Sequence, residues 1–233
     1  MVCNFPSVAA EPTTRTGTVY RTVPLIGGEV FMWDFPDAQS LDGSFVTLER
    51  IHPAKHTHDL FEMATRENED HSIFRFLMFG PFHEENEIRQ WIATQESLTD
   101  RVVYSVYSKR LKKYVGTYSV LNIDRTSGKA EVGSIWYGKA AQRTEINSEA
   151  TFIVLQYLFE RLSYRRVEWK CDSTNEASKR SALRMGFSYE GLFRKHMVVR
   201  GRNRDTVWFS IIDEEWPEKK RRFLDDLIRR YRE

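Results

Sequence analysis

Cysteine is scarce in this chain of 233 residues, long apolar runs are missing, and neither sign of charge is in marked surplus. The cysteines are Cys3 and Cys171; so few and so far apart, they provide no cross-linking framework and suit a reducing compartment. No apolar stretch approaches the ~20 residues that span a bilayer. The first residues, MVCNFPSVAAEPTTR, lack the apolar centre of a secretory signal. The expectation is a cytoplasmic protein with no membrane contact. A formal net charge of +2 argues against nucleic acid as a partner. The basic run Lys219-Lys220-Arg221-Arg222 leaves nuclear entry open, but Asp225 and Asp226 follow it. It reads best as a solvated helix face with pairs such as Arg222–Asp226. What the chain does have is 41% hydrophobic residues, enough for a core of ordinary size rather than disorder.

Residues 1–43, with Pro6, Pro12, Pro24, Pro36, the pair Gly27-Gly28 and the apolar run Val30 to Trp33, read as an arm packing on the domain. From Phe45 the pattern tightens. FVTLERI alternates as a strand, and His52-Pro53 opens a helix with Leu60, Phe61 and Met63 on its apolar side. HEENEIRQWIATQE repeats Ile88, Trp91 and Ile92 at helical spacing, its acids crowding the first turn. RVVYSVYS, KYVGTYSVLNI and KAEVGSIWY, separated by polar turns, form an antiparallel meander. A helix follows over 147–163, with Ala150, Ile153, Val154, Tyr157 and Leu158 in one stripe, and then the strand VEWKC. The next helix runs from a capping box, Ser173-x-x-Glu176, to Gly186. Two strands joined at Gly201 come next, then a helix from about Glu214 with Trp216, Phe223, Leu224, Leu227, Ile228 and Tyr231 on one side. The expected architecture is α/β, a mostly antiparallel mixed sheet flanked by helices. An arm (1–43), a main domain (44–217) and a C-terminal amphipathic helix (218–233) divide it.

Residues 136–201 carry the most specific pattern: the strand end WYGKA, the turn AQRTEIN, an amphipathic helix, RRVEWKCD, then STNEASKRSALRMGFSYEG. This order resembles the acyl-CoA-binding half of the GNAT superfamily N-acetyltransferases, specifically their RimJ/RimL-like branch. VTLERIHPAKHTHDLFEM and LFRKHMVVRGRNRDTVWFSIIDEEW extend the likeness to roughly 44–217. The resemblance implies a GNAT-like fold and acetyl-CoA as co-substrate without a metal. It also implies direct transfer of an acetyl group to a primary amine: a small amine, an amino acid or a protein N-terminus. It leaves the oligomer as monomer or homodimer.

The pyrophosphate of acyl-CoA is held by backbone N–H groups where a helix opens, because orphan donors and the helix dipole both favour an anion there. On the family's Gln/Arg-x-x-Gly-x-Gly/Ala loop, Gln142 takes the first position, Glu145 and Asn147 the glycine positions. The loop therefore departs from the family in having no glycine, and Glu145 sits against an anion unless its side chain turns away. Arg143 is a candidate phosphate clamp. Thr144, Ile146 and Ser148 complete the cofactor-binding candidates of the loop, the alternative being an ordinary surface turn. The glycine-free loop also motivates a rival function, a non-catalytic acyl-CoA-binding or sensor module on a degenerate scaffold.

For the reacting end, the resemblance implies that the backbone of Ile135, Trp136 and Tyr137 meets the pantetheine and thioester, and that Asn175 holds a pantetheine amide. It implies Glu131 as the base, against a cross-strand salt bridge as the alternative. It implies Ser178 of Asn175-x-x-Ser178 as the acid, against a hydroxyl bonded within its own helix. Glu168 is the competing base, but Lys170 at the same strand parity is expected to neutralise it. Asn175 has a helix cap as its structural alternative. His196 reads as a substrate-face or surface residue. His52, His56 and His58 show no metal-ligand spacing; His52 and His56 share a helical face expected to be solvated.

Overall fold

Alternating apolar residues build one long sheet, and residues 33–42 are laced to it. The computed structural model describes residues 21–25, 28–66 and 71–231. Cys3, Pro6, Pro12, Gly27 and the side chain of Ile228 lie outside what it describes. β1 (Arg21–Leu25) and β2 (Gly28–Met32) form a separate two-stranded sheet. The main sheet has eight strands: β3 (Ser40–Asp42), β4 (Val46–Arg50), β5 (Val102–Ser108), β6 (Lys113–Asp124), β7 (Lys129–Tyr137), β8 (Arg166–Asp172), β9 (Ser188–Val199) and β10 (Arg202–Ile212). Their order is β3-β4-β5-β6-β7-β8-β10-β9. Every neighbouring pair is antiparallel except β7–β8, which is parallel. The helices α1 (Pro53–Thr65), α2 (Glu85–Ser97), α3 (Glu145–Gln156), α4 (Glu176–Arg184) and α5 (Trp216–Tyr231) flank it. This is the mixed, mostly antiparallel α/β sheet expected. No described helix is long and apolar enough to cross a membrane.

The segment before β3 is held by side chains from distant elements. Trp33 donates its indole N–H to Ser163 O (2.7 Å), Tyr164 its hydroxyl to Asp34 O (3.0 Å), and Tyr104 to Ala38 O (3.2 Å). The turn between β3 and β4 is fastened by Glu149, a residue of α3 that is 5% exposed. Its carboxylate accepts the backbone N–H groups of Ser44 (2.7 Å), Phe45 (2.6 Å) and Val46 (2.8 Å). Glycine at 43 admits this approach: a Cβ there would stand 2.6 Å from Glu149 Oε2.

Several local expectations need correction. α3 starts at Glu145, not 147, because Thr144 caps it, and its last turn widens into a π-helical turn over Tyr157–Arg161. α4 is capped by Asn175, whose Oδ1 accepts the Ser178 N–H (3.1 Å), not by Ser173. His56 is fully buried, not solvated. Its Nδ1 accepts the His52 N–H (2.9 Å), and burial holds its imidazole at about pKa 4 against the pull of Glu49. On α5, Arg222 pairs with Glu218, while Asp226 takes Arg229 and Arg230.

Replacing Glu149 by Ala leaves three backbone donors without their acceptor, each worth ~1–3 kcal/mol where water is excluded. The expected loss is at least about 3 kcal/mol, a fall in Tm of roughly 6–12 °C or more for a chain this size. Thermal unfolding followed by circular dichroism checks this; an unchanged Tm contradicts it.

Candidate active site

The parallel ladder between β7 and β8 is short. It joins Lys129 to Arg166, Ala130 to Val167, Glu131 to Glu168 and Val132 to Trp169, and goes no further. β7 continues to Tyr137 and β8 to Asp172, so among the described residues no strand lies beside the β8-facing edge of residues 133–137. A β-bulge marks the parting. Ser134 and Ile135 together face Tyr118 alone on β6, and Ser134 takes a left-handed φ of 49°. The bulge is fitted closely to β6: a Cβ at Gly116 would lie 2.0 Å from Trp136 O. Ile135, Trp136 and Tyr137, the expected pantetheine strand, therefore stand on the open part of β7.

The turn after β7 leads into α3. Gln142 donates from its side chain to Tyr137 O (2.9 Å). Thr144 donates its hydroxyl to Ala141 O (2.7 Å) and accepts the Ile146 N–H (3.4 Å), fixing the helix start. Arg143 holds the left-handed position of this turn, with φ of 61°, and its side chain is exposed. The conformation that glycine usually supplies is thus adopted by Arg143, two residues before the position aligned to it. Glu145, Ile146, Asn147 and Ser148 form the first turn of α3 rather than a loop. Glu145 turns aside to Arg110 (3.2 Å), Ile146 is fully buried, and Ser148 accepts from Arg184 of α4 (2.8 Å).

Across the opening, Asn175 and Ser178 stand where β8 passes into α4. Ser178 does not bond back within its helix; its Oγ accepts the indole N–H of Trp169 (2.9 Å), a bond that keeps the hydroxyl a donor, with the Cys171 thiol as its hydrogen-bond neighbour. Burial pushes that thiol up.

Glu131 is 2% exposed. Its Oε2 accepts from Lys170 Nζ (2.8 Å) and Asn122 Nδ2 (2.7 Å). Burial raises its carboxyl above the ordinary range, and Lys170 and Asn122 pull the other way. Lys170 therefore pairs with Glu131, not with Glu168 as expected. Glu168 takes Arg166 (2.8 Å), which also holds Glu190 (2.6 Å). Lys170 also lies 5.1 Å from the centre of the Trp208 ring, whose Nε1 is buried with no partner among the described residues. Trp208 sits among Phe193 (5.4 Å) and His196 (6.1 Å), and His196 Nδ1 meets Thr206 Oγ1 (3.0 Å). Sequence reading missed Lys170 as the partner of Glu131 and Trp208 as its neighbour. Their strand parity was visible, but the register between neighbouring strands was not. Among the described residues no group of three or more His, Cys, Asp or Glu is placed to hold a metal ion.

A strand parted from its parallel neighbour thus runs into a helix N-terminus. The family described as acetyltransferase (GNAT) domain matches residues 46–188. The chain belongs to this family of N-acetyltransferases. A GCN5-related N-acetyltransferase from Brucella melitensis is 37% identical, with a TM-score of 0.81 over 84% of this chain and 88% of the other. A GNAT-family protein from Chromobacterium violaceum is 32% identical, with a TM-score of 0.74 over 89% and 100%. Among curated proteins, YdaF of Bacillus subtilis, by name a ribosomal N-acetyltransferase, is 33% identical over 105 residues, 45% of this chain and 57% of YdaF. The match to YdaF thus spans little more than half of that relative's length.

Gly116→Ala tests the fit of the bulge. The new methyl collides with the Trp136 carbonyl, and the strands must separate, at an expected cost of about 1–3 kcal/mol or more. A drop in Tm is the predicted reading; a variant as stable as the wild type contradicts the close contact.

Proposed function

We propose that the protein is an acetyl-CoA-dependent N-acetyltransferase that moves the acetyl group directly to a primary amine. The observation that carries this is the open edge of β7 at 133–137, flanked by the α3 N-terminus on one side and Asn175 and Ser178 on the other. That arrangement offers backbone donors to a pantetheine and helix amides to a pyrophosphate. The residues holding the cofactor are the backbone of Ile135, Trp136 and Tyr137, the segment Gln142, Arg143, Thr144, Glu145, Ile146, Asn147 and Ser148, and Asn175. The sensor reading rests on the glycine-free loop; the turning of Glu145 to Arg110 takes its carboxylate away from an anion there, and so favours the enzyme.

Acetyl-CoA supplies an activated thioester. Glu131 takes the proton that the attacking amine must lose, through water, and Lys170 sets the pH at which it is able to do so. Ser178, held by Trp169, gives its proton to the departing thiolate as the carbon–sulfur bond breaks. The acceptor is a small amine, an amino acid or a protein N-terminus; the name of YdaF supports including protein amines among them.

Acetyl-CoA at 100 times its Kd should stabilise the fold by about 2.7 kcal/mol, a rise in Tm of roughly 5–10 °C. No shift at millimolar acetyl-CoA defeats the reading.

Glu131→Gln should lower kcat by roughly 10²–10⁴-fold with cofactor affinity unchanged, while Glu168→Gln leaves kcat near the wild type. Lys170→Met removes the cation that lowers the Glu131 pKa. Glu131 then stays protonated to higher pH, so the acidic limb of kcat/KM moves up. A limb that does not move, or a Glu168 variant slower than the Glu131 variant, would transfer the role of base to another group.

A further inference from the structure

We propose that α5 completes the cofactor site, its arginines binding the phosphate monoester that distinguishes coenzyme A from dephospho-coenzyme A. This rests on the acetyl-CoA reading above. α5 runs antiparallel to α3: Trp216 stacks on Phe159 with ring centres 5.2 Å apart, and Phe223, two turns on, meets Phe152 at 5.4 Å. The rest of α5 therefore heads towards the N-terminal turn of α3, where the pyrophosphate is proposed to sit. At the same end, Arg184 from the last turn of α4 reaches Ser148 (2.8 Å).

Between α4 and α5 lies a groove of about 400 Å³ lined by Arg184, Arg222, Asp225, Asp226, Arg229 and Arg230. Four guanidinium groups against two carboxylates leave this lining positively charged. Asp226 accepts from Arg229 (2.7 Å) and Arg230 (2.8 Å), and Arg222 holds Glu218. The arginines of these pairs are exposed and Asp226 is half-buried, so the pairs exchange partners at modest cost. A phosphate monoester carries nearly two negative charges at neutral pH and three acceptor oxygens, which planar guanidinium forks match in pairs. Coenzyme A bears such a group on its ribose, next to the pyrophosphate and far from the thiol. α5 lies outside the matched residues 46–188, while Arg184 lies within them.

Calorimetric titration with coenzyme A and with dephospho-coenzyme A tests the proposal. The wild type should prefer coenzyme A by roughly 10- to 100-fold, the range of hydrogen bonds to charged groups. In the triple variant Arg222→Ala, Arg229→Ala, Arg230→Ala the preference should collapse through loss of coenzyme A affinity alone. The three side chains are exposed, and Phe223 and Leu227 keep α5 anchored. Arg221→Ala, on the same helix but outside the groove, should keep the preference. Equal affinity of the wild type for the two ligands, or a triple variant that still discriminates, overturns the proposal and leaves acetyl transfer standing. Binding of neither ligand overturns both.

Discussion

Four residue pairs of parallel ladder between β7 and β8 set the shape of everything around them. Had the ladder continued, the backbone of residues 133–137 would be saturated by β8 and nothing else would fit beside it. Ending it after Val132 requires that β7 turn away, and the extra residue at Ser134–Ile135 provides the turn. The bulge depends on a bare Cα at Gly116, and the far side of the opening is braced by Trp169, which holds Ser178 from within β8. An unpaired strand edge in a folded domain is a liability unless something covers it. Here the covering group is the proposed cofactor.

One charge pair beside that opening is buried: Glu131 and Lys170 are joined at 2.8 Å with the carboxylate nearly inaccessible. Arg166, at the other end of the ladder and partly exposed, bridges Glu168 and Glu190. Breaking one member of the buried pair strands the other in a poor dielectric, which is why such a pair fixes side-chain positions more than it adds net stability. The same Lys170 that positions Glu131 also keeps its carboxyl from rising further. A structural ion pair and a tuned proton acceptor are therefore compatible readings of one contact.

Much of the fold was legible from residue patterns. β5, β6 and β7 announced themselves by alternation, α2 by the spacing of Ile88 and Ile92, and α1 by Pro53 at its first position. What escaped was whatever depends on register or on contacts far apart in the chain. Lys170 was assigned to Glu168, two residues away on its own strand, because strand parity is visible in one sequence and the offset of a neighbouring strand is not. Glu149, which no sequence pattern singles out, fastens a turn more than a hundred positions earlier. His56 was read as solvated because helical spacing placed it with His52; the ring of Tyr114, 4.4 Å away, buries it instead. At the cofactor turn the missing glycine was seen correctly, but the residue bearing the left-handed conformation, Arg143, was not. Torsion angles follow from where the helix starts, and Thr144 starts it earlier than periodicity indicated.

Amide hydrogen exchange along β7, with and without acetyl-CoA, tests the central claim most directly. The account predicts slowed exchange confined to residues 133–137 and the first turn of α3, with Lys129 to Val132, already paired to β8, unchanged. Binding of acetyl-CoA that leaves residues 133–137 exchanging as in the free protein would contradict it.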